Sequence, residues 1–202
     1  MIDFDFNKDY ILEDERARLE PLTEAHIELL LPMAREQGMW TYSLDKCHTP
    51  EGLTTYVRAT LENRIQKKEY PFVVFDKKAG KIAGSTRFHE INGAIRSMRM
   101  GYTWYGQQFQ GTGLNKHCKY LMFEFAFEQL HFERIGLAAY IDNKRSIAAM
   151  KSVGCIQEGV FRGLLPALDG NGRTDAILFS ILKTDWSGGA KDKLKDKLGT
   201  KA

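Results

Sequence analysis

The sequence predicts an α+β fold, a single domain whose mixed, mostly antiparallel central sheet is flanked by helices. Three observations lead there. At 202 residues the chain suits one sizeable core, and no internal repeat or linker divides it. Apolar residues recur at helical spacing in the first third, and the period then changes to short strand-like runs bounded by turns. A helix opening at Leu114 is apolar over so much of its circumference that it needs a sheet to cover it. The domain is placed at residues 10–185. Residues 186–202 form a basic tail, glycine- and lysine-rich from Ser187, expected to be mobile with little to bury.

The elements follow in order. Residues 16–22 alternate as a first strand, and Thr23 can cap a helix carrying Ile27, Leu30, Leu31 and Ala34. Pro32 should kink or shorten it, lacking an N–H and crowding the preceding turn. A second helix opens near Thr49 and Pro50 and repeats Leu53, Val57, Leu61 and Ile65. Residues 72–75 and 81–88 form a hairpin, and residues 94–105 a further strand after the Asn92-Gly93 turn. The long helix carries Leu114, Cys118, Leu121, Met122 and Phe125 on one stripe, with Phe123, Phe127 and Leu130 beside it. A strand over residues 135–141, a short helix over 144–153 closed by Gly154, and strands over 155–162 and 176–182 complete the chain.

Charge and cysteine usage narrow the function. The 29 basic residues are interleaved with 26 acidic ones for a net charge of +3, so no basic stripe for nucleic acid emerges. Three cysteines, Cys47, Cys118 and Cys155, have neither a disulfide framework nor zinc-ligand spacing, and no metal site is expected. They suit reduced thiols in the cytoplasm. The acidic N-terminus lacks the plan of a signal peptide, and no apolar run approaches the ~20 residues that span a bilayer. No membrane partner is expected.

The stretch that carries chemistry is Tyr102-Thr-Trp-Tyr-Gly-Gln-Gln-Phe-Gln-Gly-Thr-Gly-Leu-Asn115: a strand, a loop with two glycines, and a helix N-terminus. N–H groups at a helix start are unpaired, the helix dipole adds positive potential, and glycine lets backbone approach an anion. A Gly-x-Gly of this kind also makes a plain tight turn. The segment is not a Walker loop, because the Gly-Lys-Ser/Thr ending is missing, and it lacks the third glycine of a dinucleotide fingerprint.

Phe109-Gln110-Gly111-Thr112-Gly113 resembles the acyl-CoA pyrophosphate loop of the GCN5-related N-acetyltransferases (GNATs), whose pattern is Gln/Arg-x-x-Gly-x-Gly/Ala. The pattern falls on Gln110, Gly113 and position 115, and a register starting at Gln108 also fits the letters. The resemblance extends to Met100-Gly101-Tyr102-Thr103-Trp104, similar to the family's splayed fourth strand. It continues in Asn143-Lys-Arg-Ser146, Met150-Lys-Ser-Val-Gly-Cys155 and Glu158-Gly159, similar to its later helix and strand. The array most resembles the branch of ribosomal-protein N-terminal acetyltransferases. Two departures stand out. Asn115 occupies a position where the family has glycine or alanine, and Arg99 and Leu165 stand where relatives place a glutamate.

The resemblance implies acetyl-CoA as co-substrate and an amine as acceptor, with the N-terminal α-amine of a protein or peptide foremost. Two other readings stay open: a small-molecule amine acceptor, and a non-catalytic acyl-CoA-binding module. It implies cofactor contacts from Thr103, Trp104, Gln110, Gly111, Thr112, Gly113, Leu114, Asn115, Asn143 and Ser146. Ser146 would donate to the departing thiolate, and Tyr102, like Tyr140, is a further donor candidate. Asn143 and Ser146 also suit an ordinary helix cap, and both roles can hold at once. His89 and Glu90 are candidates for a base at the end of a hairpin, though an exposed, uninvolved pair is the plainer reading. The assembly expected is a monomer or homodimer.

Overall fold

The computed structural model describes residues 4–45 and 47–199. Eight strands form one sheet in the order β1-β2-β3-β4-β5-β6-β8-β7. They are β1 (Leu12–Glu13), β2 (Ala17–Pro21), β3 (Glu69–Asp76), β4 (Lys81–Asn92), β5 (Ser97–Tyr105), β6 (Arg134–Tyr140), β7 (Ile156–Pro166) and β8 (Arg173–Leu182). All neighbours are antiparallel except β5 and β6, which run parallel. The helices are α1 (Ile27–Ala34), α2 (Pro50–Ile65), α3 (Leu114–Glu124), α4 (Lys144–Ser152), α5 (Lys183–Asp185) and α6 (Lys191–Asp196). None of the described helices is long and apolar enough to cross a membrane.

Local chemistry accounts for most boundaries. α1 ends two residues after Pro32. α2 starts where the Thr49 hydroxyl accepts from the Gly52 N–H at 3.1 Å, with Pro50 in the first turn. Its apolar face differs from the expected one: Leu53, Tyr56, Val57 and Thr60 are buried, while Ile65 is 75% exposed. A four-residue step advances the side chain about 40° beyond a full turn, so three steps from Leu53 carry position 65 off the buried face.

The two faces of the sheet are covered differently. Phe88 and Met100 are register partners and share a face. Phe88 stacks on Phe125, which continues α3. Arg87 and Gly101, the adjacent partners, share the opposite face, where Arg87 reaches Tyr56 and Thr60 of α2. α3 and α2 therefore lie on opposite sides.

The tail also differs from expectation. Trp186 is buried against Tyr120 and Phe123 of α3, with ring centroids 5.5 and 5.8 Å away, and Leu194 of α6 is buried in the same core. Lys191 pairs with Glu124 and Glu128. Two isolated apolar residues, too sparse to form a pattern, are enough to pack this segment on α3. Residues 200–202 of the expected tail lie outside the described residues.

Candidate active site

β5 and β6 pair at only three positions, Ser97↔Arg134, Met98↔Ile135 and Arg99↔Gly136. Beyond these, β5 stays with β4 and β6 stays with β8, so a gap opens between residues 101–105 and 137–140. The cause is local. Between the pairs Ser85↔Trp104 and Arg87↔Gly101, β4 contributes one residue and β5 two. The extra residue is a bulge in which Tyr102 takes a φ of 50°, and such a bulge turns its strand away from the regular ladder.

One end of the gap is closed by the loop before α3. Gln110 is fixed inward, donating to the Tyr105 carbonyl at 2.8 Å. Thr112 donates to the Phe109 carbonyl at 2.8 Å, and Phe109 is buried. Gly111 and Gly113 have φ values of 73° and 88°, a left-handed conformation that costs other residues strain. A Cβ on either glycine would meet nothing within 4 Å, so the loop faces open space. The backbone N–H groups of Gly111, Thr112, Gly113, Leu114 and Asn115 find no acceptor among the described residues. No acidic residue stands in the first turn of α3. Five free donors, a helix dipole and a first turn without carboxylates suit a diphosphate. Asn115 departs from the family's small residue yet fits, because its carboxamide oxygen accepts from the Tyr105 hydroxyl at 3.3 Å.

α4 borders the gap from the β6 side. The Asn143 side chain accepts from the Ser146 N–H at 3.1 Å and caps the helix, and Ser146 is half-buried. Arg145 donates to the Gln110 carboxamide oxygen at 2.5 Å, tying α4 to the loop. The expected residues Tyr102, Thr103 and Trp104, the loop 110–115, and Asn143 with Ser146 thus border the gap in turn. Trp104 is buried against Trp40, with ring centroids 5.1 Å apart. The Thr103 hydroxyl lies 2.7 Å from that of Thr86. Tyr140 is engaged elsewhere, donating to the Pro166 carbonyl at 3.2 Å.

On the α2 face lies an open groove of about 770 Å³, lined in part by Glu69, His89, Glu90, Arg99, Tyr102 and Leu137. Half-exposed Tyr102 stands at its edge, with the Arg87 guanidinium 3.7 Å from its ring centre. Arg87 is itself buried and holds Glu69. His89 does not suit the role of base: burial, then Arg99 and Arg87, pull it from 6.5 down to about 3, so it stays neutral. Glu90 is paired with Arg99 at 3.2 Å. Sequence reasoning missed Arg87 and Lys119, charged residues whose burial only the fold reveals.

The sequence profile of the family described as "Acetyltransferase (GNAT) domain" matches residues 16–156. The chain belongs to that family. As a GNAT acetyltransferase it is an enzyme of acyl-CoA-dependent amine acetylation. YdaF of Bacillus subtilis (strain 168), provisionally named a ribosomal N-acetyltransferase, is 26% identical over 177 residues, covering 84% of this chain and 91% of that one. Two solved structures share the fold. A GCN5-related N-acetyltransferase from Brucella melitensis has a TM-score of 0.87 at 22% identity, covering 96% of this acetyltransferase and 88% of that chain. A ribosomal-protein-S5-alanine acetyltransferase from Vibrio fischeri has a TM-score of 0.66 at 21% identity, covering 88% and 99%.

Proposed function

We propose that this acetyltransferase moves the acetyl group of acetyl-CoA onto the N-terminal α-amine of a protein or peptide in the cytoplasm, acting as a monomer or homodimer. The observation that carries the reading is the gap between β5 and β6, with a diphosphate-suited loop at one end and an open groove on the α2 face. An open groove of this size leaves room for a peptide, whereas a small amine is better held by a closed pocket. YdaF, provisionally named a ribosomal N-acetyltransferase, adds support from sequence.

In this reading Gln110, Gly111, Thr112, Gly113, Leu114 and Asn115 hold the pyrophosphate. The free edge of β5 at Thr103 and Trp104 aligns pantetheine and polarises the thioester carbonyl. Asn143 holds pantetheine while capping α4, and Ser146 and Tyr102 serve as hydroxyl donors. The carboxylates of the groove, Glu69 and Glu90, are both held by arginines. That arrangement favours an acceptor needing little help to lose its proton. An α-amine has a pKa of about 7.7–8.0 against about 10.4 for lysine, and is partly neutral near pH 7.

The test is mass spectrometry of acetylated peptides. Free-N-terminus peptides should gain one acetyl group at the α-amine. Peptides with a blocked N-terminus and an internal lysine should gain none at matched concentration. Preferential labelling of lysine or of small amines would overturn the assignment.

A further inference from the structure

The most unusual charge in the molecule is Lys119. It lies on α3 among the core residues and is 6% exposed. Its ammonium sits 3.1 Å from the Thr103 hydroxyl and 3.1 Å from the Met100 sulfur, both on β5. Thr103 belongs to the stretch of β5 that has lost β6 as a neighbour, and its hydroxyl is shared with Thr86 of β4, so the ammonium lies directly beneath the open stretch of β5 on the α3 face. No carboxylate among the described residues forms an ion pair with it.

A buried ammonium without a counter-charge is costly, and an apolar residue would fill the site more favourably. The nearest titratable groups do not relieve it. The Cys118 thiol on α3 and the Cys155 thiol beyond α4 are both pushed up to about 12, chiefly by burial, and stay neutral. Burial also pulls Lys119 down to about 8, which leaves it mostly protonated near pH 7. Among the described residues one hydroxyl and one thioether are its hydrogen-bond partners, and an ammonium has three N–H groups to place.

We propose that the Lys119 ammonium faces the sulfur of the bound thioester and stabilises the thiolate as it leaves. The inference rests on the acetyl-CoA reading above. In the step concerned, the amine nitrogen forms a bond to the acetyl carbon and the carbon–sulfur bond breaks. Its electron pair stays on sulfur. The attacking nitrogen loses its proton to water, and the thiolate gains one from water to become the free thiol of CoA. Lys119 keeps its own proton and offers a fixed positive charge in a water-poor setting, where charge acts strongly. It would thus be a catalytic residue alongside the hydroxyl donors.

The experiment titrates the thiol of bound CoA by its thiolate ultraviolet absorbance, in the wild type and in Lys119→Met, with Lys119→Gln as a second variant should methionine not fold. The wild type should lower the bound thiol by about one unit relative to free CoA, since a fixed charge favours its ion. Both variants should return it to the free value. Turnover should fall by on the order of 10²-fold, with CoA affinity retained. An unchanged thiol titration in the variants would overturn the role of Lys119 while leaving the acetyl-CoA reading intact. Failure of CoA to bind the folded wild type at millimolar concentration would overturn both.

Discussion

Arg145 on α4 donates to Gln110 in the loop before α3 across 2.5 Å, and Gln110 in turn donates to the Tyr105 carbonyl. This chain of two hydrogen bonds links the elements on either side of the β5–β6 gap, setting the spacing between the diphosphate-suited loop and the cap of α4. Arg145→Met should therefore weaken CoA binding about two- to tenfold, the equivalent of one hydrogen bond of about 0.5–1.5 kcal/mol. Isothermal titration of CoA reads this directly. Equal affinities would mean that the loop holds its shape without Arg145.

Gly113 offers a sharper probe. Its Cβ position is open but its φ is 88°, so Gly113→Ala should cost about 1–2 kcal/mol of backbone strain. Gly113→Glu adds a negative charge where the phosphates would sit, and it should nearly abolish CoA binding. Its carboxylate is not unfavourable to the fold at a helix N-terminus. Circular dichroism separates the two effects. A folded Gly113→Glu protein with wild-type affinity would show the loop to be only a turn.

Asn143 and Ser146 should separate by substitution as well. Asn143→Ala removes a cap and should cost about 0.5–2 kcal/mol of stability, whereas Asn143→Ser keeps a capping oxygen. If Asn143 also holds pantetheine, the serine variant should fold normally yet show a raised KM for acetyl-CoA. Ser146→Ala should mainly lower kcat. A serine variant with wild-type KM would leave Asn143 with its capping role alone.

His89 should weaken the fold in acid. Its pKa is about 3 when folded and 6.5 ordinarily, so between these values the unfolded chain binds more protons. Stability is lost as pH falls below 6.5, and the loss is complete only below 3. At pH 5 this amounts to about 2 kcal/mol. His89→Gln should remove that share, so the difference in denaturant midpoint between pH 7.5 and pH 5 should shrink. An unchanged difference would mean that His89 is not held neutral.

Much of this architecture was legible in the sequence, for a physical reason. The runs over residues 72–75 and 81–88 on either side of a turn, and the all-round apolar helix from Leu114, are local patterns, and each became the expected element. The candidate loop was legible because paired glycines before a helix are also local. The gap beside it was implied only by the resemblance of residues 100–104 to a splayed strand; no local pattern shows it, since it depends on a bulge at Tyr102 and on how few residues of β5 meet β6. Lys119 was hidden within an apolar stripe, and the packing of Trp186 and Leu194 on α3 involves too few residues to form a period.

The two-sided gap also has a kinetic consequence. With the loop on the α3 side and the groove on the α2 side, donor and acceptor need not displace one another, and both can be present when transfer occurs. The described cysteines, Cys47, Cys118 and Cys155, are buried with thiols pushed up to about 12, so none is poised to accept the acetyl group first. Double-reciprocal rate plots should then intersect rather than run parallel, and acetyl-CoA alone should leave no label on the protein. Each product can depart by the side from which its precursor came, so that neither release has to wait for the other.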